Sequence, residues 1–208
     1  MVIIFILLNL ISPWFWVLVK NPMDFVISKN QLYQISNERR LYEVNTFRGE
    51  ATQHGFGLLG KLTVNKFTWV FKEILARAEE SFDSYFLFFK GDLNVKRSTW
   101  VFGPVLWVLL PMALAGFLTL TKSRKRMVIC SVIFFAFLGS FFEQHYFSPP
   151  KIPLFILFNW LATYGMMAFF SGKTKKSFKL LYLILVIFEV SRFIHDFYFH
   201  YPNRIASQ

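Results

Sequence analysis

Five long apolar runs dominate the chain, and they decide the solvent in which it folds. Val2–Val19 opens the sequence, while Val101–Thr121, Met127–Phe142, Ile152–Phe170 and Leu180–Phe188 crowd its second half. A stretch of roughly 17–25 apolar residues crosses a bilayer as a helix, because hydrocarbon offers the backbone no hydrogen-bond partner. Hydrophobic residues make up 55% of the chain and aromatic residues 20%, with 28 Phe, well beyond a soluble average. The expected fold is an all-α membrane protein with about five transmembrane helices.

The net charge of +11 raises the question of nucleic acid, and the location of the charge answers it. Eight basic residues sit in two short connections between apolar runs: Lys122, Arg124, Lys125 and Arg126, then Lys173, Lys175, Lys176 and Lys179. That is the positive-inside pattern of cytoplasmic loops, so no nucleic-acid partner is expected and the lipid bilayer is. The second run then passes inward, the third outward, the fourth inward and the last, Leu180–His200, outward. The first run leaves the N-terminus inside. A signal peptide is disfavoured there, because its start has no Lys or Arg and no small-residue cleavage site follows. Trp14 and Trp16 sit where an interfacial belt belongs. The expectation is a multi-pass protein of the cytoplasmic (inner) membrane, N-terminus inside and C-terminus outside. The single Cys130 reads as a small buried apolar side chain.

This topology divides the chain into a first span at 1–19, an outer region at 20–100, a four-helix transmembrane bundle at 101–200 and an outer tail at 201–208. Within the outer region, Phe67, Val70, Phe71, Ile74, Leu75, Ala78 and Phe82 follow helical spacing. They predict an amphipathic helix over about 65–82. It either lies in the headgroup plane, caps the spans, or packs within a small outer domain.

Two groups of residues carry possible chemistry. Glu189, Arg192 and Asp196 share a face of the last span, with Glu189 near mid-membrane. An ionisable group at that depth costs roughly 2.5–3.5 kcal/mol on insertion scales, so it is expected to face protein or a water-filled cavity. Glu189 and Arg192 are expected to pair as i, i+3 neighbours, either as a structural ion pair that fixes helix rotation or as part of a polar cavity lining. The second group joins outer loops: Asp92 and Arg97, then His145 and Lys151, then His200. A carboxylate, histidines and cations of this kind suit a phosphate, pyrophosphate or sugar headgroup. No HExxH, CxxC or Walker pattern occurs, so the residues themselves point to no metal site.

The string Phe86-Leu87-Phe88-Phe89-Lys90-Gly91-Asp92-Leu93-Asn94, followed by Gly103, Leu110-Pro111 and Gly116, resembles a block in bacterial C-type (GT-C) membrane glycosyltransferases. These are enzymes like protein O-mannosyltransferases and aminoarabinose transferases. Gln34-Ile35-Ser36, Arg48-Gly49-Glu50 and Asn65-Lys66 are similar to the preceding outer loop, and His200-Tyr201-Pro202 to the close of the last spans. The resemblance covers most of this chain but only the C-terminal half of such an enzyme. It implies sugar transfer from a polyprenyl-phosphate donor on the outer face. In the family an early outer-loop carboxylate acts as base or metal-binding group, which brings a divalent metal into the complete enzyme. Asp24 is the weak counterpart here, since the residues around it match a later loop. The expectation is therefore a truncated or split module, not catalytic alone, that needs a membrane partner for the missing half. The alternatives are a non-catalytic scaffold binding a polyprenyl lipid or a partner protein, and a small transporter subunit using the Glu189–Arg192 face.

Overall fold

A computed structural model describes residues 1–27, 37–53, 65–138, 146 and 148–207. Every regular element among them is helical: α1 (Val2–Ile11), α2 (Pro13–Lys20), α3 (Asn37–Gln53), α4 (Lys66–Glu80), α5 (Leu110–Leu138), α6 (Ile152–Ser171), α7 (Lys176–His195) and α8 (Tyr201–Ala206). Two π-helical turns, Tyr85–Phe89 and Asp196–His200, join them.

The first apolar run is not one straight span. Its two helices meet at 62°, because Pro13 has no N–H to continue the ladder and holds Ser12 in extended backbone. The break is polar and paired. Ser12 donates to the Leu8 carbonyl (2.7 Å), and Asn159 of α6 donates to Ser12 Oγ (2.9 Å) and Asn9 Oδ1 (3.1 Å).

Helix α5 includes the basic stretch 122–126, where the sequence predicts a loop. Yet one end of α5 and the segment leading into the other reach the same short stretch: Ser81 Oγ donates to the Ala136 carbonyl (3.1 Å), and the amide of Val105, ahead of Leu110, donates to the Leu87 carbonyl (3.0 Å). A straight helix would hold Leu110 and Val132 about 33 Å apart at 1.5 Å per residue. They line one cavity together with Leu154 and Leu161, so α5 doubles back between its two apolar halves. The first half crosses α6 at a glycine pair. A Cβ on Gly116 would lie 1.9 Å from the Leu161 carbonyl oxygen, and one on Gly165 1.8 Å from that of Met112. Only glycine allows these backbones to approach so closely.

Five helices of full spanning length are not present among the described residues. The stretch Pro149–Ser171 is long and apolar enough to cross a membrane, and the α1–α2 pair qualifies if counted as one broken span. Trp107–Thr121 and Met127–Phe137 are apolar but shorter, and 101–106 is not helical because Gly103 and Pro104 break the expected second run. The expected four-helix bundle is open on one side. Helix α7 meets α6 where Lys179 Nζ donates to the Phe170 (2.6 Å) and Gly172 (3.0 Å) carbonyls, and Tyr182 donates to the Val108 carbonyl (3.3 Å). Beyond that its buried side chains are few (Tyr182, Glu189, Phe193). The tail is a docked helix, with Tyr201 fully buried against Phe197. Cys130 is exposed on α5, not buried as expected, because its stretch of helix turns that side outward.

The amphipathic helix forms as predicted, opened by a capping box between Asn65 and Thr68. Its orientation departs from the usual rule. Ala78, Ser81 and Arg77 are buried, while Phe67 is 78% exposed and Phe71 and Leu75 also face outward.

Candidate functional site

Asp92 organises the first candidate cluster. Gly91 adopts φ +75, a conformation that only glycine takes freely, and a Cβ there would meet Ser98 Oγ at 2.5 Å. The turn sends the Asp92 carboxylate inward. It accepts from the amides of Asn94 (2.8 Å) and Ser148 (2.9 Å) and pairs with Arg97 Nε at 3.0 Å. Burial pushes the Asp92 carboxyl above its ordinary range, against the opposing pull of Arg97 and the two amides. Lys151 lies within electrostatic reach of Asp92, Glu80 and Asp83, with its Nζ 4.5 Å from the Phe86 ring centroid. Two non-glycine residues with positive φ flank the cluster. Trp100 (φ 63) donates its indole N–H to the Asp92 carbonyl at 3.1 Å, and the Tyr146 (φ 51) amide donates to Glu80 Oε2 at 3.1 Å. Such backbone persists only where the surroundings enforce it.

The structure thus brings Asp92, Arg97 and Lys151 together as the sequence predicts. It also buries them, at 0%, 6% and 1% exposure, so they do not form an open headgroup site. Their charges answer one another and tie the Asp92–Arg97 turn to the start of α6. His145 lies outside the described residues.

The open site is at the C-terminal end of α7. A cavity of about 400 Å³ is lined by Arg192, His195, Asp196 and His200, with Ser191 on its polar side and Val101, Phe102 and Phe188 as its apolar wall. The predicted Glu189–Arg192 ion pair is absent. Glu189 turns inward with Tyr182 and Phe193 at 1% exposure, near the Trp107 backbone and still within electrostatic reach of Arg192. Arg192, three residues on, points outward and rests on Phe102 (5.4 Å to the centroid) and Phe188 (5.9 Å). An i, i+3 spacing permits pairing, but the buried edge of α7 runs between the two side chains.

Asp196 has its charge met elsewhere. Arg204 of α8 grips both its oxygens, Nη1 at 3.1 Å and Nη2 on the other, and also donates to the Thr99 carbonyl. Three cationic or protonatable groups remain facing the cavity: Arg192, His195 and His200. The π-helical turn at Asp196–His200 assembles them. On a regular α-helix His200 would stand about 140° round from His195, whereas the wider turn sets their rings 5.3 Å apart. The sequence reading missed His195 and Arg204. The Arg192–His195 i, i+3 spacing was a visible signal, but the π turn that recruits His200 was not.

Asp24 stands apart from both clusters. It sits half-buried on the 3₁₀ turn Pro22–Phe25, beside Tyr201, whose hydroxyl accepts from Asn21 Nδ2 at 2.8 Å. Among the described residues no three His, Cys, Asp or Glu side chains converge as a metal site would require. Asp24 thus has no metal-ligand cluster around it among the described residues, and the divalent metal that the resemblance implies belongs to the complete enzyme. Comparisons with known protein families, curated proteins and solved structures give no match to the chain.

Proposed function

We propose that this protein is a multi-pass inner-membrane module of about five spans that binds a polyprenyl-phosphate lipid, with the phosphate in the Arg192–His195–His200 cavity. One observation carries this reading. A single exposed stripe on α7 runs Leu181, Leu185, Phe188, Arg192, His195, apolar for most of its length and cationic at its outer end. That order matches an amphiphile with a hydrocarbon tail and an anionic head. Arg192 supplies a fixed charge with a planar donor fork, and the two imidazoles add donors around it. Asp196 does not repel the anion, because Arg204 compensates it.

The bare apolar flank of α7 suits lipid or the spans of a second membrane component. On the glycosyltransferase reading, that component brings the early acidic loop, and sugar transfer belongs to the assembly. Asp92, Arg97 and Lys151 then hold the outer segment in place and do not touch the donor.

The test is binding of a polyprenyl phosphate, and of the matching neutral polyprenol, to purified full-length protein in nanodiscs. A charge-assisted contact is worth roughly 1.5–3 kcal/mol, so Arg192→Ala with His195→Ala lowers affinity for the phosphate by about a hundredfold or more and leaves the alcohol unchanged. Equal phosphate binding by the original and the double variant would remove the cavity from the site.

A further inference from the structure

We infer that α4 is a membrane-surface helix, held by the fold with its apolar row turned into the outer leaflet. The row is Phe67, Phe71 and Leu75, at 78%, 53% and 43% exposure. Amphipathic helices in globular domains bury this face; here it points away from the protein. The helix is nonetheless anchored, since Arg77, Ala78 and Ser81 are buried and Ser81 donates to the Ala136 carbonyl near the end of α5. Val70 and Ile74 are partly buried beside Ala78, so the smaller apolar residues anchor the helix and the row of Phe67, Phe71 and Leu75 is left for another medium.

Three observations favour lipid over a second copy of the chain. The apolar row does not end with the helix. It continues through exposed Phe82, Tyr85 and Phe89. Phe82 in turn lines an apolar cavity of about 380 Å³ whose far wall is Leu110, Val132, Leu154 and Leu161 of α5 and α6. The face is therefore continuous with the surface of α6, the helix that is long and apolar enough to cross a membrane. Its outer edge also carries the residues of an interfacial belt: Tyr85 and Trp100 are exposed, and Lys90 Nζ sits 5.8 Å from the Trp100 ring centroid. Lys72 is exposed on the helix beside the row, where its long stem lets the ammonium reach the headgroups. This inference rests on α6 crossing the membrane and does not depend on phosphate binding at α7.

The experiment uses full-length Cys130→Ser protein in liposomes, with one bimane-labelled cysteine at a time at positions 67, 71, 75, 72, 79 or 156. Quenching by chain-brominated lipid is compared with quenching by aqueous iodide. At 67, 71 and 75, lipid quenching is expected to be at least threefold stronger than at 72 and 79, with iodide reversing the order. Position 156 on α6 is the control and is quenched by lipid. Lipid quenching at 156 with iodide access at 67, 71 and 75 would overturn the surface-helix inference alone. Iodide access at all four would overturn the membrane reading beneath it. Protection of 67, 71 and 75 from both quenchers, with disulfide dimers forming through 71, would assign the face to a second copy and overturn the lipid occupant.

Discussion

At the scale of single residues, the ion pair that matters is not the one the sequence points to first. Glu189 and Arg192 have the spacing of partners but lie either side of the buried edge of α7. Asp92 and Arg97 pair instead, across a turn made possible by Gly91, at 3.0 Å. Removing one member of a buried pair leaves the other uncompensated and costs about 3–5 kcal/mol, whereas replacing both often costs little. Arg97→Met is therefore expected to lower the denaturation midpoint of the detergent-solubilised protein far more than Asp92→Asn combined with Arg97→Met. Circular dichroism during chemical unfolding measures both, and equal losses would place the stabilisation elsewhere. The grouping of Asp92, Arg97 and Lys151 was legible because the topology put their loops at one end. Their burial was not, since it depends on Ser148 and Phe86 arriving from distant segments.

At the scale of elements, periodicity found α4 with nearly its observed limits, and the capping box at Asn65 explains why it starts there. Periodicity did not decide which medium its apolar row meets, because the same stripe fits a core, a lipid surface or a partner. The sequence reads the two apolar halves of α5 as separate elements, whereas 122–126 is helical between them. The contact that fixes α5 on α6 is the Gly116–Gly165 crossing. Gly116 appeared in the sequence only within a family-like string; its role depends on a partner 49 positions away, at Gly165. Gly165→Leu places a side chain where even a Cβ meets a carbonyl oxygen at 1.8 Å. Overpacking of this kind costs about 1–3 kcal/mol, and more where backbone must move. The expected outcome is a lower thermal midpoint and greater protease access in micelles, with Cys130 labelling as a check on α5. A Gly165→Leu protein as stable as the original would show that the helices do not cross there.

At the scale of the whole molecule, composition alone makes hydrocarbon the expected solvent, and the outer surface of α7 agrees. Leu180, Leu181, Leu183, Ile184, Ile187 and Phe188 are all more than half or nearly half exposed, which water would not tolerate as one continuous surface. The depth and direction of each helix were less legible, because Pro13 breaks the first run and Gly103 and Pro104 shorten the second. The α6–α7 turn follows the C-terminal end of α6, with Asp92 and Lys151 at its N-terminal end and the cavity at the C-terminal end of α7. The most direct test of this account is side-specific labelling of single cysteines in sealed inner-membrane vesicles of known orientation. Cysteines at 125 and 175 are expected to react only from the cytoplasmic face, and those at 72 and 207 only from the opposite face. Labelling of 175 and 207 from the same side would contradict the crossing of α7, and with it the outward-facing headgroup cavity.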